Sequence, residues 1–291
     1  MSTTEVAYLY FGRKMWPRMI ISLWSLRKHW NGKVCVYCRS RDDYDRLVPA
    51  CAKFDICATV MPPSQRGTTP HNKMAITEWI KSEYAICMDA DTLIEGDLSP
   101  LVGHEFAVTH HGARTGLSIQ SVRRANFYRG MDRSLDPVIE KYGTTESPDI
   151  NAGVFSCRNG CRQIEIIQAL LHRVVSAGRK APPSRYTNKL TLRSGRLPSP
   201  TDFAFSLACG WVEHTLLSDK YNCCSRHGTD WDKAVVKHFV ARSHGRGFPE
   251  YRLALQTVLD NNVAGFADHK GRMDLEMRNL LTRMEKGYYD A

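Results

Sequence analysis

Two carboxylates one residue apart close a short apolar segment. Asp89 and Asp91 follow the apolar residues 85–88, with Ala90 between them. On an extended chain, side chains two positions apart point to the same side, so both carboxylates can face one ligand. Carboxylate oxygens suit Mg²⁺ or Mn²⁺, and such a cation bridges protein carboxylates to substrate phosphates. The pair therefore predicts a divalent-metal site; the alternative is a chance Asp-x-Asp at a solvated strand end.

Apolar segments typical of buried strands alternate with amphipathic segments in the first part of the chain. Strands are predicted at 5–11, 33–38, 55–61 and 84–91, and helices at 16–30, at 41–54 with a break near Pro49, and in a segment that closes with 77–81. This alternation indicates parallel βαβ units and a Rossmann-like, mostly parallel, twisted sheet flanked by helices. Ligands bind outside the carboxyl ends of the strands in such α/β sheets, which is where Asp89 and Asp91 fall.

Two common phosphate-binding motifs are absent from the sequence. No GxGxxG follows the first predicted strand and no GxxxxGK[ST] occurs, so the ordinary dinucleotide-binding and P-loop classes fit poorly. Further along, a strand is predicted at 151–155 and helices at about 162–177, 250–261 and 272–286. The segment 178–200 holds six Lys or Arg, four prolines and no acid, and is predicted to be a basic loop or insertion.

The composition is that of a folded, basic protein. The chain has 291 residues, with 40 Lys and Arg against 30 Asp and Glu and a net charge of +10. This length allows one large α/β domain or two small ones, and 43% hydrophobic with 24% charged residues excludes wholesale disorder. The positive charge points to an anionic partner, such as nucleic acid or a phosphorylated sugar, without choosing between them.

The sequence shows neither a signal peptide nor a membrane span. Residues 1–11 lack a basic region followed by an apolar one, and no run of 18 apolar residues occurs. Six of the ten cysteines, Cys57 among them, lie in apolar stretches, where a free thiol acts as a small hydrophobe. We therefore expect a cytoplasmic protein with reduced cysteines.

The sequence around the two carboxylates resembles the nucleotide-binding core of family 8 glycosyltransferases. Glycogenin and the bacterial lipopolysaccharide galactosyltransferases belong to that family, whose pattern is a lysine-containing helix, a strand and then DADxxxxxDL. Here Lys73 lies in the predicted helix, Asp89-Ala90-Asp91 follows the strand, and Asp97-Leu98 completes the pattern.

Three later blocks extend the resemblance. Asn151-Ala152-Gly153-Val154 resembles the family's NAGV segment, residues 217–223 its LPxxYN stretch, and His238-Phe239 the start of its HFxGxxKPW motif. All four blocks occur in the family's order between residues 70 and 245, and their combination is specific where each alone is not.

The resemblance implies a GT-A fold and a division of the chain. Residues 1–247 would form the glycosyltransferase domain, with 1–112 as the nucleotide-sugar-binding half and 113–247, including the basic insertion 178–200, as the acceptor half. Residues 248–291 would form a C-terminal helical extension packed on this domain.

The resemblance also implies a set of binding residues. Asp89, Asp91 and His238 would hold Mn²⁺ or Mg²⁺, and the cofactor-binding set for the nucleotide-sugar donor would add the residues that line its cleft. These further residues are Tyr8, Tyr10, Phe11, Lys73, Ala90, Ala152, Gly153, Arg242 and His244.

Three residues are candidates for catalysis, and the stereochemistry stays open. Asn151 offers an amide to sugar hydroxyls, while Asp202 or Asp149 could act as the base of an inverting reaction. Retention, with a donor phosphate oxygen as the base, is the expectation from the family. The chain departs from the family where Phe203 replaces a glutamine after Asp202. It departs again where residues 244–246 read His-Gly-Arg instead of Lys-Pro-Trp.

The expected activity is transfer of a hexose from UDP-glucose or UDP-galactose to an acceptor hydroxyl. The Arg residues of 113–133 and the insertion 178–200 suggest an anionic acceptor, either a saccharide such as lipopolysaccharide core or a hydroxymethylated base in DNA. The alternative is a non-catalytic nucleic-acid-binding protein on a decayed transferase fold. The sequence leaves the oligomeric state open.

Overall fold

Nine stretches of the chain are described by the computed structural model. They are residues 3–62, 69–110, 136–141, 150–180, 199–224, 230–239, 248–261, 278–279 and 281–282. Most of the basic segments 113–133 and 178–200 and of the helix predicted at 272–286 therefore lies outside the described residues.

The described strands and helices alternate in the first half of the chain, as predicted. The strands are β1 (Thr4–Tyr10), β2 (Lys33–Cys38), β3 (Cys57–Val60), β4 (Tyr84–Met88), β5 (Thr92–Ile94), β6 (Phe106–His110), β7 (Ile150–Arg158), β8 (Thr215–Leu217), β9 (Cys223–Cys224) and β10 (Val236–His238). The helices are α1 (Trp16–His29), α2 (Arg41–Lys53), α3 (Thr69–Ala75), α4 (Asp136–Lys141), α5 (Arg162–Lys180), α6 (Pro200–Cys209) and α7 (Phe248–Asp260).

The predicted break in α2 near Pro49 is wrong. The helix runs through the proline to Lys53, and the Phe54 N–H still donates to the Ala50 carbonyl. A proline removes one backbone donor, but burial of Ala50 and Cys51 in the core holds the following turn in place. Tertiary packing here outweighs the local cost of the proline.

Seven of the described strands form one sheet in the order β3-β2-β1-β4-β7-β6-β8. The pairs β3–β2, β2–β1, β1–β4 and β6–β8 are parallel, while β7 runs antiparallel to both β4 and β6. The predicted mixed α/β fold with a mostly parallel central sheet is thereby confirmed. The strand at 151–155 belongs to it, although it is antiparallel to its neighbours.

The strand order changes direction between β1 and β4. From β1 the chain moves outward through β2 and β3, and then returns to place β4 on the other side of β1. The connections leave opposite faces at this point, which opens a crevice at the carboxyl ends of the two strands. Asp89 directly follows β4, so the topology places it at this crevice.

Both faces of the sheet are covered, because the strand residues alternate between two apolar clusters. Val6, Tyr8 and Tyr10 of β1 pack in one cluster with α1, α2 and α7. Ala7 and Leu9 face the other cluster, which contains residues of α5 and α6. This alternation is the period-two pattern of a strand buried on both faces.

A second sheet of three short strands, in the order β5-β10-β9, lies beside the first. β10 is antiparallel to β5 and pairs His238 with Thr92. Lys237, which is 4% exposed, bridges Glu95 after β5 and Glu250 at the start of α7. These contacts connect α7 to the strand that carries His238.

The C-terminal helix predicted at about 250–261 is found at Phe248–Asp260. Tyr251, Leu255 and Val258 of this helix are buried in the same cluster as α1. The proposed domain boundaries, including an extension from residue 248, remain predictions.

All ten cysteines are free thiols, and nine are buried as small hydrophobes. Cys57, on the outer strand β3, is exposed, which the apolar sequence around it did not indicate. Among the described helices, none has the length and apolarity needed to cross a lipid bilayer.

We predict that the sheet depends on a buried carboxylate at the amino end of β1. Glu5 is 0% exposed and accepts hydrogen bonds from Lys33 (2.5 Å), Tyr37 (2.9 Å) and Ser82 (3.0 Å). The Glu5→Gln substitution puts an amide donor where an acceptor is needed, and it should lower the free energy of unfolding by about 1–3 kcal/mol, measured by urea denaturation.

Glu105→Gln is the matched control, because Glu105 also lies at the amino end of a strand, directly before β6, and pairs with a cation, Arg158, but both side chains are about half exposed. This substitution should cost about 1 kcal/mol or less. Equal losses for the two variants would contradict the role assigned to Glu5.

Candidate metal centre

Three predicted metal ligands converge at the carboxyl end of β4. Asp89 follows β4, Asp91 precedes β5 and His238 ends β10. One ligand atom from each lies within 4.8 Å of the others. His238 Nε2 is 3.3 Å from Asp91 Oδ1 and 3.7 Å from Asp89 Oδ2. The chain thus brings together two carboxylates and an imidazole that are far apart in sequence.

Backbone hydrogen bonds fix the segment that carries the carboxylates. The Asp89 N–H donates to the Gly153 carbonyl (2.8 Å), and the Phe239 N–H donates to the Asp91 carbonyl (2.8 Å). Thr92 Oγ1 donates to the Asp89 carbonyl (3.0 Å) and lies 2.7 Å from Ser22 Oγ of α1. The turn between β4 and β5 is therefore tied to β7, β10 and α1.

Two cations accompany the carboxylates. Lys73 of α3 donates to Asp89 Oδ1 (2.6 Å) and to the Ala152 carbonyl (2.5 Å). Arg18 of α1 lies 4.0 Å from Asp91 Oδ2, and its side chain is only 7% exposed. The negative charges of the two carboxylates are therefore balanced by cations from two different helices, α3 and α1.

Burial and charge act in opposite directions on the three ligands. Burial raises the pKa of Asp89 above its ordinary value, although Lys73 and His238 oppose it. Burial also acts to raise the pKa of Asp91, but His238 and Arg18 outweigh it and the net shift is downward. Burial would lower the pKa of His238, yet Asp91 and Asp89 raise it above the ordinary value. The raised pKa of His238 shows that the two carboxylates favour positive charge at the position of this ring.

The donor set fits a divalent cation. Two carboxylates offer hard oxygen ligands, and an imidazole nitrogen is accepted by Mn²⁺ and other first-row divalent ions. The ligand atoms are close enough to share one ion, and the imidazole presents Nε2 to both carboxylates. The residues present can hold a metal.

A bulge in β7 shapes the wall of the site. The β6–β7 register shifts between Val108, opposite Phe155, and Thr109, opposite Asn151. Within the bulge, the Ala152 N–H donates to Asp202 Oδ1 (3.0 Å) and the Gly153 N–H to Asn151 Oδ1 (3.0 Å). Bulges are frequent beside functional sites because they redirect backbone groups.

Gly153 is required by the position of His238. A Cβ at residue 153 would lie 2.4 Å from His238 Cε1 and 2.5 Å from Nδ1. These distances are far below van der Waals contact, so the imidazole lies directly over the backbone and only glycine fits beneath it.

The predicted catalytic residues have different surroundings. Asn151 is 3% exposed, and its Nδ2 has no hydrogen-bond partner among the described residues. Asp202 lies in the first turn of α6, where its N–H donates to Ser199 Oγ, the N-cap. Phe203 is 1% exposed and its side chain belongs to the apolar cluster that contains residues of α5 and α6. Asp149 lies outside the described residues.

The predicted donor-binding residues are divided between the core and the surface. Tyr8 and Tyr10 are 0% exposed, and the Tyr8 hydroxyl donates to Met88 and accepts from Ser22. Ala90 is also buried, whereas Phe11 is partly exposed. In this conformation neither tyrosine side chain reaches the surface, and their role in donor binding remains a prediction. Arg242 and His244 lie outside the described residues.

Sequence reasoning did not assign a role to two residues at the site, Arg18 and Asn222. Arg18 is buried in α1, and a lone arginine in an otherwise apolar helix face was the available signal. Asn222 lies between the buried residues Tyr221 and Cys223 and meets the far side of the His238 ring. Only the three-dimensional arrangement links either residue to the carboxylates.

The metal centre predicts a defined pattern of ion binding. Asp91→Asn should weaken Mn²⁺ binding by more than about 100-fold, since loss of a ligand costs more than loss of the groups that orient it. Isothermal titration calorimetry measures this, with Asp97→Asn as the control because Asp97 is an exposed aspartate outside the cluster. If Asp91→Asn binds Mn²⁺ like the unmodified chain, the ion is held elsewhere.

Gly153→Ala should displace His238 without removing a ligand. We expect Mn²⁺ binding to weaken by about 10-fold or more, as for other changes that misorient a ligand. Gly96→Ala is the matched control, because its Cβ would meet only the Val235 side chain at 3.4 Å, in ordinary contact. Unchanged affinity in Gly153→Ala would show that the His238 position does not govern ion binding.

Comparison with known proteins gives a likeness of fold. No protein-family model and no curated protein matches the sequence. Among solved structures, the chain is similar to the glycosyltransferase GlyE of Streptococcus pneumoniae TIGR4, with 13% identity and a TM-score of 0.51. The match covers 90% of this chain and 64% of that one, so the present chain spans less than two thirds of its length. The chain therefore shares the α/β fold of a glycosyltransferase. Its Asp-Asp-His cluster lies at the carboxyl end of β4, where the strand order of the sheet changes direction, which is called the switch point below.

Proposed function

We propose that the chain is a metal-dependent glycosyltransferase of the family 8 type. It would move a hexose from a nucleotide diphosphate-sugar, UDP-glucose or UDP-galactose first, to an acceptor hydroxyl. The observation that carries the proposal is the cluster of Asp89, Asp91 and His238 at the sheet's switch point, in a fold shared with a glycosyltransferase. The family-level part rests on the four sequence blocks.

In this proposal Asp89, Asp91 and His238 hold Mn²⁺ or Mg²⁺. The cation supplies neutralisation of the charge that develops on the departing diphosphate. Lys73 keeps Asp89 in place through its bonds to that carboxylate and to the Ala152 carbonyl. Arg18 steadies Asp91 from the other side.

Asn151 is the proposed contact to the sugar. Its Oδ1 is already bonded to the Gly153 N–H, which fixes the amide plane and leaves Nδ2 to donate. A buried donor without a partner is costly, and a sugar hydroxyl is a group that would satisfy it.

We propose retention of the anomeric configuration, in which a donor phosphate oxygen serves as the base and no protein base is needed. An inverting reaction instead needs a carboxylate near the acceptor. Asp202, bonded to the Ala152 N–H beside the metal ligands, is the described candidate for that role. NMR of the anomeric proton of the product distinguishes the two stereochemical outcomes.

The acceptor part of the proposal rests on charge in the sequence. Segments 113–133 and 178–200 are rich in arginine and lysine, which suits an anionic acceptor. Phosphorylated saccharide and hydroxymethylated DNA are both of this kind. A DNA acceptor would lose affinity steeply with salt, because phosphate contacts release counterions.

The first test is turnover of the donor. With Mn²⁺, the chain should hydrolyse UDP-glucose or UDP-galactose slowly, and Asp91→Asn should reduce the rate by at least about 100-fold because the ion is lost. Asp97→Asn should retain the rate. A mass-shift screen of these donors against saccharide and hydroxymethylcytosine-DNA acceptors then identifies the second substrate.

The outcome that would contradict the proposal is an intact protein that binds Mn²⁺ but turns over no nucleotide-sugar. Tight, salt-sensitive DNA binding in that case would favour the alternative, a non-catalytic nucleic-acid-binding protein on a transferase fold. The intact Asp-Asp-His cluster weighs against that alternative, since decay of the activity would not spare metal ligands in particular.

A further inference from the structure

A buried amide lies behind His238, on the side away from the carboxylates. Asn222, which is 1% exposed, sits between the turn at Asp219–Tyr221 and β9. Its Nδ2 lies 2.9 Å from both the Asn151 carbonyl and Thr109 Oγ1. Its Oδ1 lies 3.0 Å from His238 Nδ1.

The partners of this amide fix which of its ends faces the histidine. A backbone carbonyl only accepts hydrogen bonds, so the group facing the Asn151 carbonyl must be the NH₂ of Asn222. The oxygen of the amide therefore faces His238 Nδ1 and can only accept. It follows that Nδ1 carries a proton, and the lone pair of the neutral ring is on Nε2.

The nitrogen left with the lone pair is the one that faces the metal ligands. His238 Nε2 lies 3.3 Å from Asp91 Oδ1 and 3.7 Å from Asp89 Oδ2. The opposite tautomer would set the Nδ1 lone pair against the Asn222 oxygen, and two acceptors in contact repel. Rotation of the ring is also restricted, because it lies directly over Gly153.

We propose that Asn222 is the positioning residue that sets the tautomer and orientation of His238, so that Nε2 is presented to a divalent cation shared with Asp89 and Asp91. This inference rests on the metal centre in the proposed function but not on glycosyl transfer. The same side chain joins the two sheets, because it bonds to β6 and β7 of the large sheet and to β10 of the small one.

The test separates the acceptor role of Asn222 from its donor role. Asn222→Ala removes both, and Mn²⁺ affinity measured by calorimetry on the full metal-free chain should fall by about 10–100-fold. Asn222→Asp keeps an oxygen opposite Nδ1 but sets another against the Asn151 carbonyl. It should lose thermal stability and yet retain Mn²⁺ affinity within about threefold, since carboxylates also orient histidine ligands.

Thr109→Val is the matched control. It removes the Thr109 hydroxyl from Asn222 Nδ2 at nearly constant side-chain volume, so it should lower stability while leaving the contact to His238 in place. Its Mn²⁺ affinity should stay within about threefold of the unmodified chain if only the acceptor role matters for the ion.

Two results would overturn the inference. One is unchanged Mn²⁺ affinity in Asn222→Ala, which would mean that the histidine is oriented without it. The other is a loss of Mn²⁺ affinity in both Asn222→Ala and Asn222→Asp that simply follows their loss of thermal stability. Asn222 would then be a structural residue only. A chain that binds Mn²⁺ as expected but turns over no sugar donor would refute the proposed function and leave this inference standing.

Discussion

Two negative charges held side by side at a strand end are the constraint on which the site depends. The side chains of Asp89 and Asp91 are 33% and 15% exposed, and partly buried charges are costly unless opposite charge lies close. Lys73 and Arg18 supply that charge from α3 and α1, and the imidazole of His238 on β10 adds to it only when it is protonated. Each of these elements must place its side chain next to the two carboxylates. The packing of two helices and of the small sheet is therefore constrained by the need to balance the carboxylate charge.

Hydrogen bonds within the large sheet and between the two sheets make the site a single unit. The Gly153 carbonyl accepts from the Asp89 N–H. Two residues earlier in β7, the Asn151 carbonyl accepts from the side chain of Asn222. Both carbonyls belong to β7, at the point where its register against β6 shifts. Because the ligands are held by backbone bonds and not by side-chain packing alone, little reorganisation is needed when a cation or a charged substrate enters.

The sequence predicted the long elements and missed what depends on distant contacts. α1 and β2 follow from their apolar periodicity, and the Asp-Asp-His cluster follows from the motifs. The continuity of α2 through Pro49 is a result of core packing, which periodicity does not report. β9 has only two residues and therefore no period to detect. Arg18 gains its role from Asp91, which lies more than 70 residues away in the sequence. Asn222 gains its role from groups on two other strands, Thr109 of β6 and Asn151 of β7.

In the proposed function, positions 203 and 151 bear on what the site can offer a sugar. The family's glutamine after Asp202 is replaced by Phe203, whose ring lies in the core and has no donor. Asn151 instead has a buried amide whose Oδ1 accepts from the Gly153 N–H and whose Nδ2 has no hydrogen-bond partner among the described residues. A donor held in one orientation needs little reorganisation when charge develops on a bound sugar, which is the role proposed for Asn151. In the proposed reaction, amide stabilisation of the sugar would therefore come from β7 and not from α6.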